Sequence, residues 1–170
     1  REIFVSGAVE RGVVEATAAY IFDLMEKFAG YGFNKSHSAA YALVAYQTAW
    51  LKAHHTAAFM AAVLSSDMAN TDKTVFSIDE CKSLKIKVLV PCVNKSIYHF
   101  TTTDENLIRY GLGAIKGVGE GAIEAVLKER NRGGEFKDLL DFCSRMELRK
   151  VNKKVMEALV YSGAMDVFGE

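Results

Sequence analysis

"YGLGAIKGVGEGAIEAVLKERN", Tyr110–Asn131, is the stretch whose reading decides the fold. A short apolar turn, Leu112 to Ile115, runs into Lys116-Gly117-Val118-Gly119-Glu120-Gly121. The spacing predicts a helix after it, with Ile123, Val126 and Leu127 inward and Lys128, Arg130 and Arg132 outward. Apolar residue, Gly, Val, Gly is the order of a helix-hairpin-helix element. The glycines let the turn take positive φ and let the backbone approach a surface closely. Val118 would plug the core between the two helices. The second helix then points its free N–H groups outward, where a phosphate oxygen can sit. A site made of Lys116, Gly117, Val118, Gly119 and Gly121 would read backbone charge and not base sequence. The alternative is an ordinary glycine-rich connection, since a lone G-x-G is a weak signal.

Downstream the pattern partly repeats. "FKDLLDFCSRM" reads as a helix, "ELRKVN" as a turn and "KKVMEALVYSGAM" as a further helix closed by Gly163. Arg145, Arg149, Lys150, Lys153 and Lys154 face a single carboxylate, Glu147, in this stretch. Either a second, degenerate hairpin meets the same duplex, with Arg149, Lys150 and Lys153 as contacts, or this is a solvated helix surface. Two hairpins in tandem would bind a duplex without sequence preference. Asp138 and Asp141, three apart on the helix, read as surface.

Upstream the period is helical from about residue 13 to 28, with Val14, Ala18, Ile21, Phe22, Met25 and Phe28 on one face. A second helix is expected from about Ser38 to His54, with Leu43, Val44, Trp50 and Leu51 sharing a face. Thr56 could cap a third helix to Leu64, and Thr71 or Asp72 starts a fourth, to about Leu84. "KIKVLV" then alternates as a strand and ends at Pro91, the chain's only proline. "SIYHFTTTDENLIRYGL" reads as a hairpin turning at Asp104-Glu105-Asn106. The expected fold is mainly α, with a short β element between two helical parts and a boundary near residues 92–96.

Composition bounds the function. The chain has 170 residues, half of them hydrophobic, and equal numbers of acidic and basic side chains, so any charge argument must be local. No apolar run is long enough to span a bilayer. Cys81, Cys92 and Cys143 form no C-x-x-C, which fits reduced thiols in a cytosolic protein. His54 and His55 are adjacent, so they cannot share a helix face as a zinc pair. The N-terminus, "REIFVSGAVERG", is neither a signal peptide nor an initiator-Met start, and the chain reads as a piece of a longer protein.

"GYGFNKSHSAAY", Gly30–Tyr41, gathers polar donors where a helix begins. Ser36 or Ser38 can cap that helix, and Lys35 and His37 lie where its dipole favours an anion. A helix cap beside a core histidine and an anion cradle both fit. A catalytic reading fits less well, because no carboxylate stands next to His37 to orient it.

"EKFAGYGFNKSHSAAYALVAYQTAWLKAH" resembles the bacterial replicative C-family DNA polymerases, and "IYHF", "IRYGLGAIKGVGEGAIEAVL" and "SGAMD" continue the resemblance in order. It covers nearly the whole chain. Two loops depart from the family pattern, at Val90-Pro91-Cys92 and at His54-His55-Thr56. The resemblance implies that residues 1–94 are the C-terminal part of a fingers domain, and 95–170 a small β hairpin with a tandem helix-hairpin-helix module. It implies that Tyr31 packs on the sugar or base of an incoming deoxynucleoside triphosphate. His37 would hydrogen-bond its phosphates, and Lys35 would add charge. Duplex primer-template is the other implied partner; the sliding clamp and further replicase subunits would meet the parent protein, in the bacterial cytoplasm. Polymerisation uses two metal ions, Mg2+ here, on closely spaced palm aspartates. This chain has no D-x-D, so the parent is expected to be a nucleotidyltransferase and this segment alone inactive. The competing readings are a freestanding helix-hairpin-helix adaptor, which has no use for a triphosphate cradle, and a helical scaffold for protein partners.

Overall fold

A computed structural model describes residues 1–31, 35–147 and 149–169, with Tyr31 and Lys35 described by their backbone alone. The chain forms two compact units, residues 1–49 and 50–170. The first holds α1 (Glu2–Glu10), α2 (Glu15–Tyr31) and most of α3 (Lys35–His54), which continues into the second. The sequence reading assigned no element to α1. It packs along α2, with Phe4 and Phe22 ring centroids 5.6 Å apart and an exposed Arg1–Asp23 ion pair at 3.0 Å.

The apolar faces expected to be buried in α2 and α3 are mostly open. Ala18 is buried and Phe22 half-buried, but Ile21, Met25 and Phe28 are exposed, Phe28 at 71%. Every residue from Ser36 to Leu51 is exposed. Periodicity marks a face that gains from burial without naming its partner. α3 also starts earlier than expected, at Lys35, so Ser36 and Ser38 lie inside its first turn and not at the cap.

The second unit contains two apolar cores. α4 (Thr56–Asp67) and α5 (Thr71–Ser83) build the first, where Ala57, Met60, Ala61 and Leu64 meet Cys81, Ile86, Phe100 and Ile108. Thr56 does not cap α4 but is its first residue; α5 is capped by Asn70, whose side-chain oxygen accepts from the Lys73 amide at 3.1 Å. The sheet has β1 (Lys87–Leu89), β2 (Thr101–Asp104) and β3 (Leu107–Arg109) in the order β1-β3-β2. β2 and β3 form the expected hairpin, and β1 runs parallel to β3, with Val88 opposite Ile108.

The second core gathers Val93, Leu112, Ile115 and Val118 with residues of α6 (Glu120–Gly133), α7 (Leu139–Arg145) and α8 (Lys153–Tyr161). α8 ends on Gly163, at φ +75°, with Gly163 and Ala164 amides donating to Val160 and Leu159 carbonyls. This closes the helix in a Schellman motif. A cut at 94/95 does not follow the packing. It separates β1 from its pairing partner β3, and Val93 from the core it fills. The hydrophobic period changes near there, but strand pairing joins residues across the change.

Gly111 sits where two segments nearly touch. Leu112 and Gly113 amides donate to the carbonyls of Ile97 and Tyr98, at 2.8 and 2.9 Å. A Cβ on Gly111 would lie 2.6 Å from backbone atoms of Tyr98 and His99. Gly111→Ala is predicted to destabilise the chain by about 2–3 kcal/mol, because backbone cannot yield as a flexible side chain can. A urea midpoint equal to wild type would show that the two segments separate at no cost.

Candidate nucleic-acid interface

The first hairpin consists of a single 3-10 turn at Leu112–Ala114, the loop through Gly119, and α6. Gly117 takes φ +93°, a conformation costly for any residue with a Cβ. Val118 turns inward, only 8% exposed, and its amide donates to the Ile115 carbonyl at 3.1 Å. Lys116, Gly117, Gly119, Glu120 and Gly121 are exposed around it. The buried valine therefore presents the rest of the turn outward. Gly119 is the N-cap of α6 and has no side chain to cap with; its carbonyl accepts from the Ala122 and Ile123 amides. The start of α6 is thus open to an outside acceptor, although Glu120 places a carboxylate in the same turn.

The second hairpin repeats this plan. Val151, 1% exposed, takes the place of Val118, and its amide donates to Glu147. Val155 and Leu159 repeat the buried Ala122 and Val126. One difference is chemical: Asn152 caps α8, its side-chain oxygen accepting from the Val155 amide at 3.2 Å. α7 is capped likewise by Asp138, which accepts from Asp141 at 2.7 Å. Asp141 in turn accepts from the Lys137 amide and from Arg145, and these bonds hold its carboxyl below the usual carboxylate range, the amide most strongly.

The cations divide into two kinds. Arg130 was expected outward but is half-buried; its Nη1 donates to the carbonyls of Val93 at 2.9 Å and Ser96 at 2.7 Å. Burial lowers its pKa from the ordinary guanidinium value. Arg145 stacks 4.3 Å over the Phe136 ring and donates to the carbonyls of Glu129 and Gly134. Arg145 also pairs with Asp141 at 3.2 Å, so neither arginine leaves its guanidinium open to an outside phosphate. Lys150 pairs with Glu147 at 3.5 Å and Lys153 with Glu157 at 3.7 Å, both exposed. Lys116, Arg149 and Lys154 are exposed and make no ion pair among the described residues. Lys154 lies in the basic stretch noted in the sequence but is not among the contacts expected there.

The proposed nucleotide contacts fall in the first unit, where α2 ends and α3 begins. The side chains of Tyr31 and Lys35 lie outside what the structure describes. His37 is exposed on the first turn of α3, its ring 4.2 Å from that of Tyr41 one turn on.

A valine-plugged, glycine-edged turn that opens a helix defines a class. The chain belongs to the helix-hairpin-helix family, whose motif matches residues 85–170. Relatives extend the likeness to the rest. The chain is 59% identical over 169 residues to DNA polymerase III subunit alpha of Vibrio cholerae, covering 99% of this chain and 15% of that protein. Against the proteins of the same name from Escherichia coli K12 and Pseudomonas aeruginosa, identity is 56%, over 99% and 98% of this chain. The chain therefore spans about 15% of the length of the E. coli relative and 14% of the P. aeruginosa one.

Arg145→Met keeps apolar contact with Phe136 but removes the donors to Glu129 and Gly134. It is predicted to cost about 2 kcal/mol, the penalty of leaving such carbonyls without a charged donor. An unchanged denaturation midpoint would mean that water replaces the guanidinium freely.

Proposed function

We propose that this chain is a segment of a bacterial replicative DNA polymerase catalytic subunit that grips duplex DNA through the tandem hairpins and contributes to the incoming-nucleotide site. The observation that carries the reading is the open start of α6, where exposed Lys116, Gly117, Gly119 and Gly121 surround the buried Val118. Amides at that turn can donate to phosphate oxygens, and the absence of a Cβ lets a strand come close. The names of the relatives support DNA as the partner.

Chemistry belongs to the rest of the parent. Palm aspartates outside this chain would hold the Mg2+ ions, and the sliding clamp and other replicase subunits would meet the parent. The setting is the bacterial cytoplasm; no described helix is long and apolar enough to cross a membrane. In the fingers part, Tyr31, Lys35 and His37 would face the nucleotide.

Duplex affinity should fall with salt, each phosphate contact adding roughly −0.9 to the log–log slope. Gly121→Leu is the sharper test. Nothing lies within 4 Å of a Cβ there, and leucine favours helix, so stability should hold or rise. Affinity should drop roughly tenfold, about 1.4 kcal/mol, because the side chain covers the amides. Equal affinity by fluorescence anisotropy, or a flat salt response, would count against the hairpin as the grip. For the nucleotide site, His37→Ala in the full-length polymerase should raise KM for deoxynucleotide or lower kcat. Unchanged steady-state kinetics would count against His37 as a nucleotide contact.

A further inference from the structure

The loop of the first hairpin and the last helix enclose a groove of about 720 Å³. Ala114, Ile115, Ala158 and Tyr161 supply apolar walls, and Lys116 and Lys154 bring cations to it. The groove forms because α8 carries residues 154, 158 and 161 on one face, at helical spacing. That face lies against the hairpin loop: a Cβ on Gly117 would sit 3.7 Å from the Ala158 Cβ. Two lysines far apart in sequence thus serve one groove. Glu157 also lines it, and its carboxylate lies 3.7 Å from Lys153 Nζ. Lys153 itself is not part of the lining.

We infer that this groove seats one strand of bound duplex DNA, with Lys116 and Lys154 neutralising its phosphates and the apolar walls lying along its deoxyribose edges. Within α8 it is Lys154, and not the neighbouring Lys153, that adds charge to the grip. Charge complementarity selects this occupant: the lining brings two lysines without ion-pair partners among the described residues and one glutamate that faces a lysine outside the groove. The inference rests on the duplex-binding reading and assigns it a path across both hairpins. It also explains how a second hairpin whose helix start is capped by Asn152 can contribute. It does so through a side-chain cation, where the first hairpin adds open backbone amides to Lys116.

The test uses the 170-residue chain and a short blunt DNA duplex, titrated by fluorescence anisotropy across a salt series. Lys154→Gln should weaken binding about threefold to tenfold and reduce the magnitude of the salt slope by about 0.9, the loss of one phosphate contact. Lys153→Gln should change the slope by less. Ala158→Glu, which puts a carboxylate in the groove, should weaken binding more than Lys154→Gln, while circular dichroism and the denaturation midpoint report that the fold is kept. If Lys154→Gln binds as wild type does while Gly121→Leu binds weakly, the duplex reading stands and this inference is overturned. A larger effect from Lys153→Gln than from Lys154→Gln also overturns it. If the unaltered chain shows no salt-dependent duplex binding, the underlying reading fails first.

Discussion

Burial of one valine at each hairpin turn holds the interface in shape. Val118 and Val151 enter the same apolar core, and each would contribute about 1.5–3 kcal/mol as a fully buried aliphatic side chain. The direction matters as much as the magnitude. A turn whose central side chain is held inside has its flanking backbone turned out. Lys116, Gly117, Gly119 and Gly121 are exposed because Val118 is not, and Arg149 and Lys150 are exposed beside Val151. Loss of either plug would free the turn to fold inward and satisfy its amides within the chain.

The core that receives the valines is held by polar ties to distant backbone. Asn94 exchanges two hydrogen bonds of 2.8 Å with the Phe136 backbone, and Arg130 and Arg145 each bind two carbonyls. These groups satisfy backbone in the loops at Val93, Ser96, Gly134 and Phe136 and one carbonyl near the end of α6, Glu129, as buried backbone requires. The two arginines thereby lose their value as nucleic-acid contacts. Guanidinium charge counted along the chain overstates the charge that the surface presents, and the electrostatics of the module rest mainly on lysines and Arg149.

The first unit obeys the same physics with the opposite outcome. Its helices carry apolar stripes of the right period, yet Tyr20, Met25, Phe28, Tyr41 and Tyr46 are all more than half exposed. Such a surface is costly in water. The second unit buries its stripes because the hairpin sheet and two helix pairs supply facing surfaces within a short span of chain. This difference is why the helical period was legible in both units while burial was legible only in the second.

Much of the fold and part of the candidate site could be read from the sequence. The glycine–valine turn, the inward register of Ile123 and Val126, the β2–β3 hairpin and the stop at Gly163 are local properties. They follow from 3.6-residue periodicity, from alternation, and from the freedom of glycine at positive φ. Tertiary structure alone decided the rest: that β1 pairs with β3, that Gly111 must lack a Cβ, that Arg130 and Arg145 turn inward, and that Lys154 joins Lys116 at one groove. In each of these the partner is a backbone atom or side chain many residues away, and only packing brings it within hydrogen-bonding or van der Waals range.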